Sequence, residues 1–143
     1  MKPNQGPLQT AEHILAKILE NKFNDIKVII AEFSETGGRL DITTTHDFRT
    51  ISTEMIENET NKTITQNLEV KIYNIPREEG DKQFNLSRLP QHLKEIRIVD
   101  IQNFDKRPCG DPHVSNTKEI GEFRIMKIKR VGKDKYRILF EVA

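Results

Sequence analysis

The sequence predicts an α+β fold: a single domain over residues 1–143, with a largely antiparallel sheet packed around an N-terminal helix. Three observations predict it. Apolar residues recur at helical spacing from Leu8 to Phe23, several β-rich runs follow, and two pairs of those runs are joined by short Gly-containing turns. At 143 residues the chain is long enough for one compact core, and no repeat or low-complexity linker divides it.

The elements follow in order. Asn4-Gln5-Gly6-Pro7 reads as a helix entry, with Gly6 or Asn4 near the cap and Pro7 at the first helical position. Leu8, Ala11, Ile14, Leu15, Ile18, Leu19 and Phe23 then form one apolar stripe. IKVIIAEF (26–33) and RLDITTT (39–45) make a hairpin around Thr36-Gly37-Gly38. Residues 47–66 predict a second helix, with Asp47 as its cap and Ile56, Thr60 and Ile64 on one face. LEVKIYNI (68–75) alternates as a strand that Pro76 ends, and 77–90 is a short helix or irregular segment. EIRIVDI (95–101) is a further strand, and residues 121–131 and 135–142 form a terminal hairpin joined at Gly132-Lys133-Asp134.

Composition narrows the function. Charged residues make up 31% of the chain, yet the net charge is only +1, so there is no global basic excess; a nucleic-acid partner would have to meet a local basic face. The single cysteine forms no intramolecular disulfide, no long apolar run exists, and the opening MKPNQGPLQTAEHIL lacks an apolar leader. The expectation is a cytoplasmic protein without a membrane span. The Asn-x-Thr/Ser triplets at Asn58, Asn61 and Asn85 then carry no glycosylation meaning.

That single thiol, Cys109, lies in RPCGDPHVSNTKEIGEF (107–123), four residues before His113 and next to the turn-forming Gly110-Asp111-Pro112. Its neighbours are polar, unlike those of a packing cysteine. A soft sulfur and an imidazole across a tight turn can grip a metal, although C-x3-H is a weak signal by itself. On the first helix, Gln9 and His13 are four apart and share a ridge with Glu20 at the edge of the apolar arc, where side chains reach a cleft while staying wet. His13 is there either a boundary histidine making a hydrogen bond or a ligand. Glu12 falls inside the apolar arc, which is costly for a carboxylate without a partner. His46 and His92 have no ligand-spaced partners and read as surface residues.

LQTAEHIL followed far downstream by PCGDPHVSNTKEIGEFRI resembles the editing domain of alanyl-tRNA synthetases, the free-standing AlaX-type proteins, and the matching domain of threonyl-tRNA synthetases. Those proteins carry HTAxHLL on a helix and a CGGTHVxxTGEIGxF loop. RLDI resembles their LRFDF strand, IENETNKTI follows their IExxVNxxI pattern at Ile56, Glu57, Asn61 and Ile64, and QFNLSRLP resembles a segment of small members. The likeness runs from about residue 8 to residue 128 in the family's order.

The resemblance implies one zinc ion per chain, held at positions matching His13, Cys109 and His113, with Gln9 where the family has a first histidine. A carboxamide oxygen is a weak ligand, so three strong donors remain, and two imidazoles with one thiolate and an open position is a composition that catalytic zinc sites use. The change either preserves a hydrolytic site or marks a retired one. The implied reaction is hydrolysis of the ester joining a wrong amino acid, serine or glycine, to tRNA(Ala). The alternatives are a non-catalytic metal- or tRNA-binding descendant, and a structural domain whose Cys109 and histidines simply pack. Asp111 either orients water as a base or shapes the turn; Thr10, matching the family's HTA threonine, either recognises a serine hydroxyl or back-bonds within the helix. Mischarged tRNA is the implied partner, and no obligatory protein partner is called for.

Lys127, Lys129, Arg130 and Lys133 are the candidate tRNA contacts on the terminal hairpin. Strict alternation puts Lys127 and Lys129 on the face of Ile125 and Ile128 on that of Arg124, so the cations do not share one clean face. A solvated edge whose lysines discourage aggregation is the alternative.

Overall fold

The computed structural model describes residues 5–143. Two antiparallel sheets, rather than one, enclose a central helix. Helix α1 (Gln5–Lys22) is followed by strands β1 (Lys27–Phe33) and β2 (Gly38–Thr43), helix α2 (Thr53–Thr65), β3 (Val70–Pro76), α3 (Arg77–Gln83), β4 (Glu95–Ile101), β5 (Asp105–Pro108), a 3-10 turn (Thr117–Ile120), β6 (Phe123–Gly132) and β7 (Lys135–Val142). The first sheet runs β1-β2-β7-β6 and the second β3-β4-β5. Both contain only antiparallel pairs.

Helix α1 is more than an amphipathic surface helix. Leu8, Ala11, Ile14, Leu15 and Leu19 are fully buried, and Gln9, Thr10, Glu12 and His13 are buried with them. The cause is packing on several sides: α2, β1, β2, β5, β7 and the 3-10 turn all contact it. Gln9 and His13 are therefore not the wet boundary residues that the apolar arc alone predicts. Asn4, proposed as a cap, lies outside the described residues; α1 already includes Gln5 and Gly6, so Pro7 is not its first residue.

Helix α2 starts later than the sequence suggests. Ser52, not Asp47, caps it, its Oγ accepting from the Met55 amide at 3.2 Å. Asp47 instead closes a turn, accepting from the Arg49 amide at 3.0 Å, while Thr50 Oγ1 donates to its carbonyl at 2.8 Å. Asn61 on α2 bonds both ways to the Phe123 backbone, and Glu57 accepts from the Ile125 amide, which docks α2 onto β6. In β6 the register shifts between Ile125 and Lys127. That bulge resets the alternation. Ile128 returns to the inner face opposite Ile138, and Lys127 and Lys129 join Arg124 on the exposed face, correcting the mixed pattern above.

Strand β5, DKRP, was not legible as a strand, yet it sets the geometry of the following loop. It pairs with β4 from Ile101↔Asp105 to Ile98↔Pro108. Arg107 pins it to the central helix, donating to Asp105 at 2.6 Å and to Glu20 of α1 at 2.9 Å. Gly121, at φ 84, adopts a left-handed conformation where a Cβ would stand 2.3 Å from the Ala143 carbonyl oxygen, so the turn into β6 requires glycine.

Candidate metal centre

The β4–β5 ladder extends one bond past Pro108, the Cys109 amide donating to the Arg97 carbonyl at 3.1 Å. Arg97 then closes over the loop from β4: its Nη1 donates to the carbonyls of Cys109 at 2.6 Å and Asp111 at 2.9 Å. Cys109 is thereby aimed at α1 by backbone that has little freedom. Its Sγ lies 3.4 Å from His113 Nε2 and 3.6 Å from Asp111 Oδ2.

His113 is held from its other side. Thr10 Oγ1 donates its one proton to the Gly6 carbonyl at 3.0 Å, accepts from the Val114 amide at 3.2 Å, and lies 2.9 Å from His113 Nδ1. With the hydroxyl proton already used, Nδ1 must be the donor in that contact. Nε2 then carries the lone pair, and it faces the thiol. Thr10 is completely buried and its hydrogen-bonding capacity is filled by the protein. The loop approaches α1 closely enough that a Cβ on Gly6 would touch the His113 carbonyl carbon at 3.4 Å.

His13 completes the cluster. Its ring centroid is 4.5 Å from that of His113, in an edge-to-face arrangement. One ligand atom each from His13, Cys109 and His113 lie within 4.8 Å of one another. His13 Nδ1 is buried with no hydrogen-bond partner among the described residues, an orphan that a cation would satisfy. Two nitrogens and one sulfur suit a borderline-soft ion such as zinc, so these residues fit the metal that the sequence resemblance implies. Gln9 is buried one turn before His13 on the same ridge, and Asp111 is exposed beside the thiol.

Burial dominates the protonation states of the cluster. Burial pushes the Cys109 thiol up to about 11, and burial with nearby Arg97 pulls His113 down to about 4. His13 is lowered well below its usual value, by burial first and then by His113 and Arg107. Glu12, whose Oε2 is 3.9 Å from His13 Nε2, is raised to about 7 by burial despite the opposing pull of Arg107. Sequence reasoning placed Glu12 only as a misplaced charge; its signal was a carboxylate inside an apolar stripe.

These shifts predict the pH response of the metal-free protein. His113 stays neutral in the fold down to about pH 4, whereas the unfolded chain takes up that proton near 6.5, so its contribution is lost as pH falls through this window. Glu12 acts in the opposite sense: its folded carboxyl keeps a proton up to about 7, while the unfolded chain releases it near 4.5. Stability from Glu12 therefore falls as pH rises between those values. Glu12→Gln should gain on the parent by about 3 kcal/mol at pH 8 and by nothing at pH 4, measured by urea denaturation.

The hairpin residues Lys127, Lys129, Arg130 and Lys133 are all exposed. His46 is half exposed and pairs with Asp25 at 3.6 Å, and His92 is exposed. No described helix is long and apolar enough to cross a membrane.

Known proteins resemble the chain over most of its length. The family described as the threonyl and alanyl tRNA synthetase second additional domain matches residues 96–138, which include Cys109 and His113 but not α1. The chain is 34% identical over 143 residues to the alanyl-tRNA editing protein AlaX-M of Saccharolobus solfataricus, covering 94% of this chain and 57% of that protein. Against the protein of the same name from Methanosarcina barkeri it is 30% identical over 152 residues, covering 95% of this chain and 57% of that one. It is also 33% identical over 104 residues to an alanine–tRNA ligase of Saccharolobus islandicus, covering 71% of this chain and 12% of the ligase. The chain thus spans a little over half the length of the editing proteins it matches.

Proposed function

Because the chain is a relative of the alanyl-tRNA editing proteins along nearly its whole length, we propose that it is a cytoplasmic, metal-dependent deacylase removing mischarged serine or glycine from tRNA(Ala). The observation that carries this reading is the convergence of His13, Cys109 and His113 from two distant stretches of chain onto one point. Residues 1–143 act as one editing-type domain with one zinc ion held by those three side chains.

Zinc, when bound by His13, Cys109 and His113, would supply Lewis-acid chemistry to the ester hydrolysis. The chain's own residues do the rest. Thr10 fixes the His113 ring so that its free nitrogen faces inward, acting through His113 rather than on the substrate. Its filled hydrogen bonds speak against a direct role in reading a serine hydroxyl. Gln9, a carboxamide where the sequence resemblance implies a histidine, would leave a fourth position for water or substrate and offer a neutral donor and acceptor there. Asp111 is the exposed carboxylate best situated to accept a proton from an attacking water. An ester is already activated, so orientation and modest charge stabilisation suffice.

A second reading, a binding module that has lost hydrolysis, is favoured by Gln9 alone. A deacylation assay on seryl-, glycyl- and alanyl-tRNA(Ala) separates the two: release of serine or glycine with alanine retained supports the deacylase, and tight binding of all three without release supports the module.

The substrate would meet Lys127 and Lys129 on the exposed face of β6, with Arg130 and Lys133 at the hairpin end. Reversing the charge of Lys127 and Lys129 together should weaken tRNA binding about tenfold at low salt and reduce the salt slope by about 2. Unchanged affinity and slope would mean that the hairpin is a solvated edge.

A further inference from the structure

Thr10 orients His113, and α1 offers a second oxygen-bearing side chain to the other histidine of the cluster. Glu12 Oε2 lies 3.9 Å from His13 Nε2, and the Glu12 side chain is 9% exposed. A carboxyl group buried to that degree needs a polar partner, yet Glu12 makes no hydrogen bond among the described residues. The nearby cation is taken: Arg107 donates to Asp105 at 2.6 Å and to Glu20 at 2.9 Å. His13 in turn pairs with no other carboxylate among the described residues, and its Nδ1 is buried with no partner among them. The two unmet needs come together at His13 Nε2.

We infer that Glu12 is a positioning residue of the metal centre: its carboxyl group accepts the Nε2 proton of His13 and so turns Nδ1 toward the ion, whereas His113 presents Nε2. The inference rests on the metal-centre reading and adds which nitrogen of each ring faces the ion. An imidazole that binds through one nitrogen keeps its proton on the other, and the partner of that proton decides which is which. For His113 the partner is Thr10 Oγ1, 2.9 Å from Nδ1. For His13 it is Glu12, at the opposite nitrogen. Two residues apart on one helix, Thr10 and Glu12 fix the two rings in opposite tautomers. The 3.9 Å contact is longer than a hydrogen bond, and rotation about the glutamate's own side-chain torsions supplies the difference. A carboxyl oxygen accepts in either protonation state, so the role does not depend on the charge of Glu12. A direct bond from Glu12 to the ion is the competing role. Glu12 stands outside the set of ligand atoms, from His13, Cys109 and His113, that lie within 4.8 Å of one another.

Long-range proton–nitrogen correlation spectra of the metal-free chain read the tautomer of each ring. His13 should carry its proton on Nε2 and His113 on Nδ1. With cadmium bound as an NMR-active surrogate for zinc, coupling to the metal should appear at His13 Nδ1 and at His113 Nε2. Glu12→Leu, an apolar residue placed in an apolar stripe, should lose the Nε2–H preference of His13 and lower zinc affinity about tenfold. Glu12→Gln, whose carboxamide oxygen still accepts, should keep the tautomer and hold zinc within about twofold of the parent. Cadmium coupling at His13 Nε2, or a Glu12→Leu protein with the parent's tautomer and affinity, would overturn the assignment. So would a Glu12→Gln protein as impaired as Glu12→Leu, which would make Glu12 a ligand or a charge rather than an acceptor. Failure of the parent to bind either ion would overturn the metal centre and the assignment with it. No tRNA enters these measurements, so a chain that binds the ion and hydrolyses no ester leaves the inference standing.

Discussion

Cys109→Ala should lower zinc affinity by about two orders of magnitude and take deacylation down with it. Structural zinc sites release about 10–16 kcal/mol from four donors, so one donor contributes about 3 kcal/mol. Here the loss falls on a set of only three strong donors. The fold should survive. Cys109 sits at the edge of the core, and its loop is held by Arg97 through backbone carbonyls that the substitution leaves in place. Metal content by mass spectrometry of the native protein, alongside circular dichroism, reads both. A folded Cys109→Ala protein that retains zinc at the parent's affinity would mean that the thiol is a packing group. His113→Ala should behave alike, and Thr10→Val should weaken zinc about tenfold by freeing the His113 ring, an effect carried entirely through orientation.

Gln9→His carries the second large effect. The position is buried one helical turn before His13, a spacing that lets two imidazoles on one helix share an ion. It should tighten zinc at least about tenfold, since imidazole is a far stronger donor than a carboxamide. The rate then distinguishes two histories of the site. A rise in deacylation from near zero would identify the natural chain as a weakened enzyme. A fall, with zinc held more firmly, would show that the position left open by Gln9 belongs to the working mechanism. Gln9→Ala should leave zinc bound and slow hydrolysis. If neither substitution moves affinity or rate, Gln9 stands outside the site.

Much of the fold was legible because it is local. The stripe from Leu8 to Leu19, the Gly-containing hairpins and the break at Pro76 each carry their signal within a few residues, and all recur in the structure. What escaped depends on partners. Asp105–Pro108 has no apolar period and is a strand only because β4 lies beside it. The bulge at Met126 overturned a strict alternation that reads correctly up to Ile125. Burial of Gln9, Glu12 and His13 comes from elements packing on several sides of α1, which one helix's own pattern does not record.

The relationship to editing proteins was readable from short motifs in order, because each motif is local and its residues keep their spacing along the chain. The Leu86–Ile96 stretch was legible only in part: QFNLSRLP carries a family likeness across Leu86 and Leu89, but nothing in it shows that the 84–94 connection folds back beside Cys109. Arg97, likewise, gains its part only from the loop it clamps.

The most direct test of the account is to titrate metal-free protein with zinc while following release of serine from seryl-tRNA(Ala) under single-turnover conditions. The rate should rise linearly and break at one equivalent of zinc per chain, with no rise in a His13→Ala protein over the same range. Equal rates with and without zinc, or a break at one equivalent that persists in His13→Ala, would contradict a metal centre built on His13, Cys109 and His113.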